Sequence, residues 1–461
     1  MSEPRDRALA YVQQHADAFR AALGEFIAIP SISTDPEHRE DVRRAAEWLA
    51  DRLRALGARD VALFDEGVHP LVYGELPAEQ ADAPTVLVYG HYDVQPAEPL
   101  APWHSPPFTL TQEGDMLYGR GVADMKGQVL AALAAVEAVR AAGQPVHFKF
   151  LFEGEEEIGS PGVARVLAAH RDAFTADFCL NPDAGMHDRD MPSITYALRG
   201  LAYFELHIYG PSHDLHSGLY GGAIHNPAQA LAEILAGMHD EHGRVTLPGF
   251  YDTVRPLSPE ERRRLAQVPF DEEAFLQQAG APALWGEPEY SAYERTTARP
   301  TLEINGLLSG FTGEGSKTII PARAMAKISM RLVADQTPET AAAALRRYLE
   351  QRVPPTVRWE LVEMVGAPPA YVDMDAPQVR ALAQALQAVW QREPLYVRNG
   401  GTIPIVAELQ RIGIPSVLTG FALPDANAHG PNENLHLPTW LKGIQALVHF
   451  FYNLPALGGS N

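Results

Sequence analysis

Three short apolar runs in the first part of the chain each end in a loop loaded with histidine or carboxylates. Thr85–Tyr89 (TVLVY) runs into Gly90-His91-Tyr92-Asp93. Val146–Phe152 (VHFKFLF) runs into Glu153-Gly154-Glu155-Glu156-Glu157-Ile158-Gly159-Ser160, and Asp177–Leu180 into Asn181-Pro182-Asp183. Apolar runs of this length, bounded by turn residues and rich in β-branched and aromatic side chains, read as buried strands. Helical patterns separate them: an Ala-rich stretch at Val129–Ala142 stopped by Gly143, and a second around Gly162–His170. Strands alternating with helices predict a mainly parallel sheet covered on both faces. Such sheets bind ligands beyond the carboxyl ends of their strands, which is where these polar loops fall.

The texture changes near Ala197. Leu201–Tyr209 and Ala326–Leu332 alternate polar and apolar residues, as strands with one solvated face do, and helical patterns occupy Pro227–Met238 and Glu339–Gln351. After about Val365 the α/β texture returns, with helices near Gln378–Gln391 and Leu441–Asn453 and a strand at Pro415–Leu418. The expected organisation is one α/β domain made of residues 1–196 and 367–461, interrupted by an inserted α+β domain at 197–366. The Gly243–Pro300 segment, rich in proline and charge, has no placement from its pattern.

With 461 residues the chain can bury large cores without disulfides, and its one cysteine, Cys179, permits no intrachain bridge, which fits a reducing compartment. Neither a signal-peptide pattern at the N-terminus nor a membrane-spanning stretch is expected. The net charge of −21 opposes nucleic-acid binding, which rests on basic contacts to phosphate.

Taken one at a time, the candidate residues have ordinary explanations. An isolated H-x-D is more often a capped turn, an acidic run a solvated face, and Arg331 a surface cation. Together they are more informative. His91 can coordinate a metal while Asp93, two residues on, orients its imidazole. Asp124, in Gly119-Arg120-Gly121-Val122-Ala123-Asp124-Met125-Lys126-Gly127, has two oxygens to share between two ions. Glu157 can bind metal while Glu156 serves as general base. Asp183 and His429, the latter in Ala428-His429-Gly430-Pro431-Asn432-Glu433, complete a nitrogen and oxygen donor set suited to Zn²⁺, Mn²⁺ or Co²⁺.

In this order the segments resemble the co-catalytic metallopeptidases that include aminoacylase-1, glutamate carboxypeptidase and succinyl-diaminopimelate desuccinylase, and within them the carnosinase and cytosolic non-specific dipeptidase branch. The resemblance implies that His91 and Asp183 are terminal ligands of one ion, Glu157 and His429 those of the other, and Asp124 the bridge. It also implies Glu156 as base, Asp93 as support for His91, and a cis bond at Asp124–Met125. The inserted segment Asp214-Leu215-His216-Ser217-Gly218-Leu219-Tyr220-Gly221-Gly222 is similar to that branch's motif, as are Lys317-Thr318-Ile319-Ile320-Pro321, Arg331 and Gly400-Gly401-Thr402-Ile403-Pro404. This implies that His216 reaches a partner subunit's site in a homodimer and stabilises the oxyanion. Arg331, Thr318, Thr402 and the backbone at Gly401 would bind the substrate's carboxylate. The inserted domain would be a lid and dimerisation domain, and the enzyme a cytoplasmic dipeptidase holding two divalent ions, Zn²⁺ first. The chain departs from the eukaryotic dipeptidases at Ala123-Asp124-Met125, where they tend to carry Thr-Asp-Asp. Two alternatives stay open at this level: an N-acyl-amino-acid deacylase or carboxypeptidase with the same metal site, and a non-catalytic peptide-binding protein.

Overall fold

The computed structural model describes residues 3–454. The chain forms two compact units. One comprises Met1–Tyr196, Val372–Val397 and Ile403–Asn461; the other comprises Ala197–Tyr371 and Arg398–Thr402. The second unit therefore passes the boundary at residue 366 expected from sequence. Ala370–Tyr371 pairs with Ala197–Leu198, which holds this end of the segment against its beginning.

The first unit is built on a mixed sheet with a parallel centre. Strands His147–Glu153, Thr85–His91, Phe178–Asn181 and Ser416–Leu418 run parallel in that order. Arg59–Phe64 and Leu71–Leu76 add antiparallel strands at one side, and Ser193–Leu198 at the other. Residues Val86–His91 are all buried, as a strand covered on both faces must be. Phe148, Phe150 and Phe152 recur at the two-residue strand period and stack along one face, with successive ring centroids 6.4 and 5.9 Å apart. Helices Pro4–Ile27, Lys126–Ala142, Pro377–Trp390 and Leu437–Asn453 pack on one another, whereas Arg39–Ala55 packs on the strands Arg59–Phe64 and Leu71–Leu76. The mainly parallel α/β class expected from sequence is the one observed. Among the described residues, no helix is long and apolar enough to cross a membrane.

The second unit is α+β. Its four-stranded antiparallel sheet runs in the order Thr301–Ser309, Arg323–Leu332, Gly200–Tyr209, Arg358–Ala367. The two central strands alternate buried and half-buried residues. The buried face, including Phe204, Leu206, Ile208, Ile328 and Met330, shares a core with Ile234 of helix Pro227–Ala236 and Leu345 and Leu349 of helix Pro338–Arg352. The segment without a sequence placement contains three short helices, Pro259–Leu265, Glu272–Ala279 and Ala292–Thr297. Each is capped at its N-terminus by a side chain, from Ser258, Asp271 and Ser291 respectively. Helices this short carry no periodic apolar stripe to read.

Candidate metal centre

The parallel centre of the first sheet explains where the polar loops go. His91 lies opposite Glu153 on the neighbouring parallel strand, and Phe178–Asn181 flanks the same strand on its other side. The loops after all three strands therefore leave the sheet at one edge. The Asp124 loop reaches the cluster because the turn before helix Lys126–Ala142 folds tightly onto its start. A Cβ on Gly127 would lie 2.0 Å from the Val122 carbonyl oxygen, so only glycine permits this approach. The Asp124–Met125 peptide is cis. His429 sits in a loop where Asn427, His429 and Asn432 all have positive φ, at 54°, 63° and 60°. These conformations suit Asn and are tolerated by His.

Two groups of potential ligands result, His91 with Asp124 and Asp183, and Asp124 with Glu157 and His429. Within each group the donor atoms lie within 4.8 Å of one another. His91 Nε2 is 3.1 Å from Asp124 Oδ1 and 3.9 Å from Asp183 Oδ1. His429 Nε2 is 3.0 Å from Asp124 Oδ2 and 3.3 Å from Glu157 Oε2. Asp124 thus offers one oxygen to each group. Nδ1 of His91 lies 3.1 Å from the Asp93 backbone oxygen and 3.4 Å from its carboxylate. A proton on Nδ1 is held there, which frees Nε2 for a metal.

The Asp93 carboxylate has a second contact set that spacing alone did not indicate. It accepts the backbone N–H groups of Glu156 (3.3 Å) and Glu157 (3.0 Å), fixing the turn that carries the candidate base and a candidate ligand. Glu157 also accepts from Gln95 Nε2 at 2.8 Å.

A larger omission from the sequence reading is Glu433. Its fully buried carboxylate accepts Arg120 Nη1 and the Gly121 N–H on one oxygen, each at 2.8 Å. The other oxygen accepts the N–H groups of Ala123 and Asp124, at 2.8 and 3.0 Å. Glu433 therefore anchors the Asp124 loop from a position four residues after His429. Its only sequence signal was membership of the Ala-His-Gly-Pro-Asn-Glu segment; nothing local pairs it with a residue 313 positions away.

Asp93, Asp124, Glu153, Glu156, Glu157 and Asp183 crowd around two histidines. Burial pushes the Glu156 carboxyl up to about 9; His91 opposes this, while Asp183, Glu153 and Glu157 add to it. Burial likewise raises Asp183 to about 7 against the pull of His91. Hydrogen bonds to Asp124 and then Glu157 lift His429 to about 10. Burial works against the charged form of His91, yet Asp124 and Asp93 raise it well above the usual imidazole range. Without metal, then, the cluster holds protons at neutral pH, and ligation requires the histidines neutral. Hard and borderline N/O donors, a carboxylate shared between two triads and an excess of negative charge fit two divalent ions.

Metal uptake by the chelator-stripped protein should release protons, and apparent affinity should rise as pH increases from about 6 to 9 because fewer protons remain to be displaced. Titration calorimetry in buffers of different ionisation enthalpy checks this. A pH-independent affinity with no proton release would remove the histidines from the ligand set.

The second unit holds the remaining candidates. His216 is exposed, and its Nδ1 accepts the Gly218 N–H at 3.0 Å, which leaves the proton of neutral imidazole on Nε2, free to donate. The Leu215–His216 strand pairs with Ile319–Ile320, and the Thr318 carbonyl accepts the Ser217 N–H. Arg331 Nη1 donates to Thr402 Oγ1 at 3.2 Å. The expectation for Gly401 changes, because its N–H is already taken by Asn399 Oδ1 at 2.9 Å and is not a free anion donor.

Comparison with known proteins identifies the family. Residues 87–453 match the model of Peptidase family M20/M25/M40. The chain is 32% identical to the human Beta-Ala-His dipeptidase, over 98% of this chain and 93% of that one. It is 31% identical to the Cys-Gly metallodipeptidase DUG1 of Candida albicans, over 95% and 96% of the two chains. Among solved structures, the M20 family metallo-carboxypeptidase Sso-CP2 of Sulfolobus solfataricus superposes with a TM-score of 0.82 at 32% identity, covering 95% of this chain and 99% of that chain. The chain belongs to peptidase family M20/M25/M40.

Proposed function

We propose that this chain is a metal-dependent dipeptidase that cleaves the peptide bond of dipeptides and short peptides. The observation that carries the proposal is Asp124, placed between two histidine-containing triads with Glu156 next in sequence to the ligand Glu157. His91 and Asp183 would hold one ion, Glu157 and His429 the other, and Asp124 both. Zn²⁺ is the first choice on donor chemistry, with Mn²⁺ or Co²⁺ as alternatives. Two such ions, when bound, supply Lewis acidity toward the scissile carbonyl and a water acidified to near-neutral pKa. Glu156 takes the water's proton and returns it to the departing amine. Asp93 holds Glu156 and Glu157 in register through their backbone amides. Nε2–H of His216 donates to the oxyanion that develops on the substrate. Arg331 and Thr402 receive the free carboxylate, for which a planar guanidinium is suited.

We further propose a homodimer in which His216 serves the partner's site. Leu219 and Tyr220, beside it, are 77% and 44% exposed, and Leu307 and Leu308 on the edge strand Thr301–Ser309 are 63% and 55% exposed, apolar side chains that a second copy would cover. A reducing cytoplasmic location fits the single buried cysteine.

The relatives' names point to small dipeptides, and Sso-CP2 keeps carboxypeptidase action as a second reading. Mass spectrometry of products from a mixed panel of dipeptides, tripeptides, longer peptides and N-acyl amino acids decides. Chelator-sensitive cleavage confined to dipeptides supports the first reading. Removal of the last residue from longer peptides supports the second, and preferential cleavage of acyl compounds makes the protein a deacylase.

A further inference from the structure

The segment that had no sequence placement closes on the loop carrying Thr402. Within the second unit, buried Glu261 on helix Pro259–Leu265 receives the guanidinium of buried Arg398, through Nη2 and through Nε at 3.1 Å. Tyr293, on helix Ala292–Thr297, brackets the main chain of the same arginine. Its hydroxyl accepts the Arg398 N–H at 3.2 Å and donates to the Arg398 carbonyl at 3.1 Å. The Thr296 carbonyl presses so closely on Gly400 that a Cβ there would lie 2.7 Å from it.

The contacts continue from Arg398 to Arg331. The Gly400 carbonyl accepts Arg199 Nε at 3.2 Å, and Thr402 Oγ1 donates to the Arg199 carbonyl at 2.6 Å while accepting Arg331 Nη1. Trp285, Thr296 and Arg299 from the segment and Arg199 and Arg331 from the rest of the unit line one cleft of about 400 Å³. Burial, and after it the neighbouring Arg331, hold the Arg199 guanidinium down to about 10 against the pull of Glu303.

We propose that Glu261 and Tyr293 are positioning residues for substrate binding: the 259–299 segment sets Thr402 and Arg331 in place to receive the substrate's free carboxylate. This rests on the reading of Arg331 and Thr402 as the carboxylate site. Neither Glu261 nor Tyr293 is assigned contact with the substrate.

The test is steady-state kinetics of the metal-loaded enzyme on one dipeptide, with Tyr293→Phe, Arg331→Met and the double variant. Tyr293→Phe should raise KM about three- to tenfold while kcat stays within about twofold. Arg331→Met should raise KM further, and the double variant should match Arg331→Met alone, because both changes remove the same interaction. Glu261→Gln, which keeps the side-chain shape, should reproduce the Tyr293→Phe pattern and guards against a folding artefact in one variant. An unchanged KM in both Tyr293→Phe and Glu261→Gln, or multiplicative effects in the double variant, overturns the inference while leaving the carboxylate site intact. An unchanged KM in Arg331→Met instead removes the carboxylate site itself, and the inference with it.

Discussion

Glu156→Gln should lower turnover about 10²–10⁴-fold, the range for loss of a positioned general base, while the protein retains its metal. The amide keeps the shape of the side chain and cannot take a proton. The metal should stay because the proposed ligand atoms come from His91, Asp124, Glu157, Asp183 and His429. Elemental analysis after gel filtration, alongside turnover on a dipeptide, separates the two properties. Near-normal turnover would reassign the base; loss of metal would make Glu156 a ligand. The same variant tests the dimer. Mixed with an inactive His216→Ala protein and allowed to exchange subunits, it should regain activity, because a mixed dimer contains one site with both Glu156 and a partner's His216. No recovery despite demonstrated exchange would place His216 in its own subunit's site.

Glu433→Ala should strongly destabilise the protein, costing about 3–5 kcal/mol. Arg120 and Glu433 are 2% and 0% exposed, so removing the acid leaves a buried cation uncompensated. The Gly121, Ala123 and Asp124 N–H groups lose their acceptor at the same time. Since all three amides belong to the Asp124 loop, metal affinity should fall too. Adding Arg120→Met removes the stranded charge and should recover part of the stability but none of the metal affinity. Denaturant unfolding of the metal-free proteins and chelator competition measure the two effects separately. A Glu433→Ala protein with wild-type affinity and a loss under about 1 kcal/mol would show that the loop holds without its anchor.

What was legible in the sequence followed from local rules. Buried strands such as Thr85–His91 declare themselves by continuous apolar character, and the half-exposed strands Gly200–Tyr209 and Arg323–Leu332 by alternation. Once the strands are taken as parallel, His91, Glu156, Glu157 and Asp183 must emerge at one sheet edge, so most of the candidate centre is implied by topology before any coordinate is known. Local rules cannot supply pairings between distant segments. The Glu433 anchor on the Asp124 loop and the second role of Asp93 in holding Glu156 and Glu157 depend on where side chains land after folding. The short helices between residues 259 and 297 escaped for a related reason. They bury too little apolar surface to show a periodic pattern, and they are held instead by caps and by ion pairs such as Arg262–Glu294 and Arg398–Glu261. Sequence by itself determined the α/β scaffold and the residue types available to bind metal, because burial periodicity is written along the chain. Tertiary structure alone decided which oxygen of Asp124 faces which histidine and what fixes the loop carrying Thr402, because hydrogen-bond partners from separate segments are chosen by packing.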